Sequence, residues 1–303
     1  MPARDAEATI ARTLDALRAQ DLDEPFEVVV VDDGSSDGTA ATASRAGAPV
    51  RLVSVGPVGA AEARNRGVAA ARARLIAFTD ADCVPAQGWL RAGLAALRDA
   101  DLVQGRVAPE RDPGPFDRTV WVGAERGLYE TANLFVTREL FERVGGFEEW
   151  LEVGAEKLLA EDVWFGWRAV RSGARTCFAA DALVHHAVFE RGAAGFVAER
   201  LRLRWFPAIA RKVPELRGSF YGRVFLSRRT AAFDLALAGA TLAAARRSRL
   251  PLLAALPYAR LVTRGALPYR RRAPMVVATR TVADLVGLAA LVSGSVRSRS
   301  PVL

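Results

Sequence analysis

The stretch "VVVVDDGSSDGT" (residues 28–39) decides the fold. A valine-rich apolar run of this length reads as a short strand buried on both faces. Two carboxylates, Asp32 and Asp33, end the run, and a Gly/Ser/Asp turn leads from them into a helix. Gly34 and Gly38 permit a tight turn and a close backbone approach. The same order recurs at "LIAFTDADC" (75–83), where an apolar run ends in Asp80 and Asp82.

The segments around these runs alternate in type. Residues 6–20 predict a helix with Ile10, Leu14 and Leu17 on one face and Asp5 as its N-cap. "VRLVS" (50–54) predicts a strand, 59–73 a helix, 89–100 a helix with Leu90, Leu94 and Leu97 in register, and 101–107 a strand. After a proline-rich loop at 109–117 come a strand (131–137), a helix (138–144), a turn (145–150), a helix (160–173) and a strand (176–186). Repeated βα units predict an α/β fold with a parallel sheet covered on both faces. A doubly wound sheet ordinarily opens on a strand. Here Met1-Pro2-Ala3 runs straight into the first helix, so that strand is expected to be missing.

The 303 residues are enough for one large domain with an appendage, and half of them are hydrophobic, which excludes wholesale disorder. No secretory leader is recognisable at Met1. Cys83 and Cys177 lack metal-ligand spacing and imply neither a disulfide framework nor a zinc site; a reduced cytosolic setting is compatible with them. The net charge of +8 conceals a division. Residues 1–190 hold 21 basic and 30 acidic side chains, whereas residues 191–303 hold 21 basic and 4 acidic ones. A basic, apolar-rich tail fits an anionic membrane surface. Nucleic acid is disfavoured, because the basic residues alternate with aliphatic runs instead of forming a polar patch. Asp234, "RRSR" (246–249), Arg280 and Asp284 interrupt the apolar runs. Segments lying on the membrane are therefore expected first, a hairpin over 231–262 second, and a helical subdomain packed on the core third.

Ligands of open α/β sheets bind beyond the carboxyl ends of the strands. Asp32, Asp33 and Asp80 thus face one crevice. These acids alone would repel a diphosphate, and a divalent cation removes the conflict. Mg²⁺ and Mn²⁺ prefer oxygen ligands and bridge carboxylate to phosphate. An acid-rich turn with no ligand is the alternative.

The chain resembles the family 2 glycosyltransferases, which have a GT-A fold. The resemblance rests on "PARDAEATIARTLDAL", "VVVVDDGSSDGT", "ARNRGVAAARARLIAFTDADC", "TANLFVTRELFERVGGFEE" and "EDVWFGWRAVRSG", in that order over residues 2–173. It implies a GT-A domain over 1–195 and a helical, basic, membrane-associated extension over 196–303. Pro2, Ala3 and Arg4 would line the nucleobase, with Asp5 where the family often has asparagine. Asp33 would contact the base, typically uracil. Arg64 would border the nucleotide, with pairing to an acid as the alternative. Asp80 and Asp82 match the DxD motif, with Asp82 as the closer metal ligand and Asp80 near the ribose or a metal-bound water. His185 or His186 is a further candidate ligand. Glu161-Asp162 resembles the ED motif, which makes Asp162 the general base of an inverting transfer. "ANLF" (132–135) and "GGFEEW" (145–150) would line the acceptor side.

The implied reaction moves a sugar from a nucleotide diphosphate sugar, most simply a UDP-sugar, to an acceptor hydroxyl with Mg²⁺ or Mn²⁺. The acceptor is a glycan, a lipid or a small molecule. The implied location is the cytoplasmic face of the membrane, with a soluble cytoplasmic protein as the alternative. Rival functions are a nucleotidyltransferase, for which "PARDAEATI" lacks a glycine-rich basic phosphate loop, and a membrane-associated scaffold with a degenerate transferase core.

Overall fold

The computed structural model describes residues 1–151 and 160–303. These fall into two compact units, one of residues 1–112 with 119–188, the other of residues 113–118 with 189–303.

In the first unit, β2 (Val28–Asp33) is buried at all six positions, as its unbroken apolar run requires. Strand alternation sends Val28 and Val30 toward Ile10, Leu14 and Leu17 of α1 (Glu7–Arg18), and Val29 and Val31 toward Ala63 of α3 (Ala60–Ala70). On one side β2 pairs in parallel with β3 (Val50–Val55); α2 (Thr39–Arg45) connects the two.

The opening strand expected to be missing is present over two residues. β1 (Pro2–Ala3) pairs in parallel with Val31 and Asp32 of β2. The Met1 ammonium donates to the Val29 carbonyl at 3.0 Å, and the Val31 amide donates to the Met1 carbonyl at 2.9 Å. Burial, with Arg64 adding to it, pulls the pKa of that amine down to about 5. Beyond β1, a groove of about 80 Å³ is lined by Met1, Val29, Ile76 and Phe78.

Asp5 does not cap α1. It has a positive φ of 47°, and its carboxylate accepts from the amide and hydroxyl of Ser36. The helix is capped from outside, by Asp37 accepting from the Glu7 amide at 3.1 Å and Thr39 accepting from the Ala6 amide at 2.7 Å. The sequence "DDGSSDGT" thus serves two helices at once.

The remaining five strands form a mixed sheet and not the all-parallel one that the βα alternation predicts. Its order is β4 (Leu75–Thr79), β7 (Asn133–Thr137), β6 (Leu102–Pro109), β8 (Thr176–His186), β5 (Cys83–Pro85). Only β6 and β8 are parallel; β7 is antiparallel to both β4 and β6, and β5 to β8. The reason is the irregular segment after β6. A parallel return needs a crossover helix, and a loop returns the chain in the antiparallel sense. The three-residue β5 is too short to carry a periodic signal. Flanking helices are α4 (Trp89–Ala96), α5 (Arg138–Arg143) and α6 (Glu161–Arg171).

Asn133 locks this sheet. It is fully buried, accepts from the Trp89 indole at 2.8 Å, and donates to the carbonyls of Arg106 and Ala182 at 2.8 and 2.7 Å. A Cβ on Gly105 would lie 2.3 Å from the Asn133 amide, so glycine is required there. Each polar group so paired avoids the cost of about 1–3 kcal/mol carried by an unsatisfied buried group.

The second unit is helical: α7 (Ala193–Glu199), α8 (Phe206–Lys212), α9 (Arg228–Arg246), α10 (Leu256–Ala266) and α11 (Ala273–Ser298). Ser227 and Thr230 form a reciprocal capping box at the start of α9. Asp284, which interrupts the apolar run of α11, is paired: Arg229 donates to it at 2.7 Å and Tyr258 at 2.7 Å. By length and composition the helical run Leu250–Ser298 is apolar enough to cross a membrane, and only 28% of its apolar window is buried.

Candidate functional site

The site lies where β2 and β4 end. Asp33 is buried, and its carboxylate accepts from the amides of Val58 at 2.7 Å and Gly59 at 3.2 Å. It therefore anchors the loop that enters α3, where an anion also complements the helix dipole. The Arg4 guanidinium, just past β1, stands 3.9 Å from the same carboxylate. Pro2 and the buried Ala3 are held beside it by their pairing with β2. Asp32 is buried too and accepts from the Ser35 amide at 3.3 Å.

Arg64 of α3 bridges two of the sequence motifs. It is buried, donates to Asp80 at 2.9 Å through one terminal nitrogen, and donates to Glu161 at 3.0 Å through the other. Burial opposes its charge, yet Asp80 and Glu161 together raise its pKa above the ordinary arginine value. The guanidinium lies 5.9 Å from the centre of the Phe147 ring, and its Nε has no hydrogen-bond partner among the described residues. The DxD strand end and the ED helix start are thereby tied into one site. Sequence reading placed Arg64 at the nucleotide border with pairing to an acid as the alternative; the structure shows the pairing, and no spacing rule identifies partners 97 positions apart.

Of the two histidines, the structure brings His186 to the acids. Strands β5 and β8 pair Cys83 with His186 and Val84 with His185, so the imidazoles point to opposite faces. His186 Nδ1 is 2.7 Å from the Ala187 carbonyl, a contact in which the nitrogen must donate. Its Nε2 faces Asp82 Oδ2, 3.5 Å away. A proton or a cation can be shared at that distance. Candidate ligand atoms of Asp82, Cys83 and His186 all lie within 4.8 Å of one another. Burial holds the Cys83 thiol well above its usual pKa, so it stays protonated and is a poor ligand for a hard cation. The Asp82 carboxylate suits Mn²⁺ or Mg²⁺, and the imidazole would add a weaker ligand, so this donor set is compatible with the ion that the DxD pattern implies.

Asp162 stands in the first turn of α6, after Ala160 in the left-handed region at φ 66°. Burial pushes its pKa well above the usual carboxylate range; Glu161 and Glu130 add to this, while the Val163 amide at 2.8 Å and Arg64 oppose it. A carboxylate with raised proton affinity is suited to act as a base near neutral pH. Trp164 and Trp167 have structural partners: their indoles donate to Glu148 at 2.7 Å and the Gly127 carbonyl at 2.9 Å.

Residues 1–148 match the model of the family "Glycosyl transferase family 2". The chain is 30% identical over 203 residues to the glycosyltransferase AglE of Haloferax volcanii, covering 61% of this chain and 65% of that protein. It is 29% identical over 209 residues to the pre-mycofactocin glycosyltransferase of Mycobacterium tuberculosis, covering 61% of this chain and 41% of that protein. It thus spans less than two thirds of either relative. The fold matches that of a mannosyltransferase from Pyrobaculum calidifontis solved with GDP-Man and Mn²⁺, with a TM-score of 0.61, 24% identity, and coverage of 97% of this chain and 85% of that one.

The raised Asp162 pKa has a consequence for stability. Unfolded, the group titrates near an ordinary carboxylate value of about 3.9. Below that pH both states hold the proton and nothing is lost. As pH rises toward the folded pKa, the native state binds more protons than the unfolded one, and stability falls. Asp162→Asn is expected to melt above the wild type at pH 8 and to converge with it near pH 4. Melting curves that differ by the same amount at both pH values would contradict the assignment.

Proposed function

As a member of glycosyl transferase family 2 by residues 1–148, the chain is one we propose to transfer a sugar from a nucleotide diphosphate sugar to an acceptor hydroxyl, with inversion at the anomeric carbon. The observation that supports this reading is the Arg64 bridge, which joins Asp80 of the DxD motif to Glu161 of the ED pair. Asp162 takes the proton of the acceptor hydroxyl as that oxygen bonds to the anomeric carbon and the bond to the diphosphate breaks. One displacement from the face opposite the leaving group inverts the centre. Asp82 and His186 would hold the cation, with Asp80 beside the ribose or a metal-bound water. Such an ion, when bound, offsets the charge of the departing diphosphate. Arg4, Pro2, Ala3 and Asp33 border the base. Arg64 keeps Asp80 and Glu161 in place while facing the nucleotide.

The test is calorimetry with UDP, GDP and TDP, followed by turnover. Binding is expected only with Mn²⁺ or Mg²⁺ and is lost in Asp82→Ala. Asp162→Asn should cut turnover roughly 10²–10⁴-fold with donor affinity little changed. Tight metal-free binding that survives Asp82→Ala would overturn the reading, as would a product of retained configuration.

The helical unit is read as meeting an anionic membrane surface at the cytoplasmic face, with a glycan, lipid or small-molecule acceptor. Leu250, Leu252, Leu253, Leu256 and Leu267 are exposed along it, and Arg246, Arg247, Arg249 and Arg270–Arg272 lie near them in sequence. Apolar side chains beside arginines match the boundary between acyl chains and anionic headgroups. In flotation assays the full chain should rise with phosphatidylglycerol vesicles at low salt and less at high salt. Equal flotation with neutral vesicles would count against this.

A further inference from the structure

Within the first unit, a second cavity of about 390 Å³ is lined by Trp121, Arg126 and Glu130 with Val122, Gly123 and Ala124. Nothing in the reaction as described uses these side chains. Trp121 is 68% exposed, although a large aromatic ring gains most by burial. Its backbone is nevertheless fixed. The neighbouring Val122 is buried and exchanges both amide–carbonyl bonds with Val107 of β6, at 2.9 and 3.0 Å. The indole edge lies over Gly123, where a Cβ would come within 3.4 Å of Nε1.

Glu130 is the opposite case, a largely enclosed carboxyl. Burial raises its pKa, Arg126 lowers it, and no side chain among the described residues hydrogen-bonds to it. Its charge is among those that raise the pKa of Asp162. The segment is also bolted to the helix that carries Asp162. Trp167 donates to the Gly127 carbonyl at 2.9 Å, and the Tyr129 ring packs so closely on Gly166 that a Cβ there would lie 2.0 Å away.

We infer that Trp121, Arg126 and Glu130 form an acceptor subsite that takes the ring of a glycoside. A pyranose offers a face of C–H bonds for the indole and a rim of hydroxyls for a carboxyl and a guanidinium. Arg126 already offsets Glu130, so the pair is suited to an uncharged ring. The inference rests on the transfer reading and adds the class of acceptor.

Saturation-transfer NMR on the full chain, with the methyl glycosides of glucose, mannose and N-acetylglucosamine as probes, tests it. At least one glycoside should receive saturation on its ring protons. Trp121→Ala should weaken that binding about tenfold, as expected for loss of one aromatic contact, and Trp121→Phe should restore most of it. Both variants should melt with the wild type, because the ring is exposed. A wild type that binds no glycoside, or an alanine variant that binds as the wild type does, overturns the inference. Calorimetry of nucleotide diphosphate with Mn²⁺ on the same samples separates the two claims. Nucleotide binding without glycoside binding overturns only the subsite, and glycoside binding without nucleotide binding overturns the transfer reading.

Discussion

The site depends on one buried guanidinium. Arg64 sits between Asp80 and Glu161 with almost no exposure, and a charge so placed is tolerable only with partners of good geometry. Removing either acid would leave one of its two terminal nitrogens without its ion-pair partner. The helix α3 that carries Arg64 is itself fixed by Asp33, through the amides of Val58 and Gly59. A chain of acid and base contacts thus runs from β2 through α3 to β4 and to the start of α6. It delivers Asp80 and Asp162 to one region of the fold, which neither strand pairing nor helix propensity would do.

Much of this was legible in the sequence, for local reasons. Strand β4 spans 75–79 and strand β8 spans 176–186, as expected, because apolar runs bounded by turn residues fix both ends. The faces of α1 followed from the spacing of Ile10, Leu14 and Leu17. What escaped was non-local. The antiparallel sense of β7 depends on how a loop returns, and Asp5 was drawn from its helix by Ser36 across the turn. At the site, strand ends pointed to Asp32, Asp33 and Asp80, whereas Asp162 was named from the resemblance of Glu161-Asp162 to the ED motif. Choosing His186 over His185 needed the register of β5 against β8. The two acids that Arg64 joins could not be read from spacing at all.

The two units differ in what their charges do. In the first, arginines and acids are consumed in pairs that position the site. In the second, Asp284 pairs with Arg229, and four acids face twenty-one basic side chains over residues 191–303. That surplus of positive charge cannot be neutralised within the unit. An anionic surface is the partner we propose for it.

The central claim, that Asp82 and His186 hold the cation of the transfer site, is tested most directly by crystals grown with Mn²⁺ and a nucleotide diphosphate. Anomalous scattering should place manganese between the Asp82 carboxylate and His186 Nε2, with the diphosphate on its open side. Manganese elsewhere, with His186 Nε2 still facing Asp82 and no ion between them, would contradict the account.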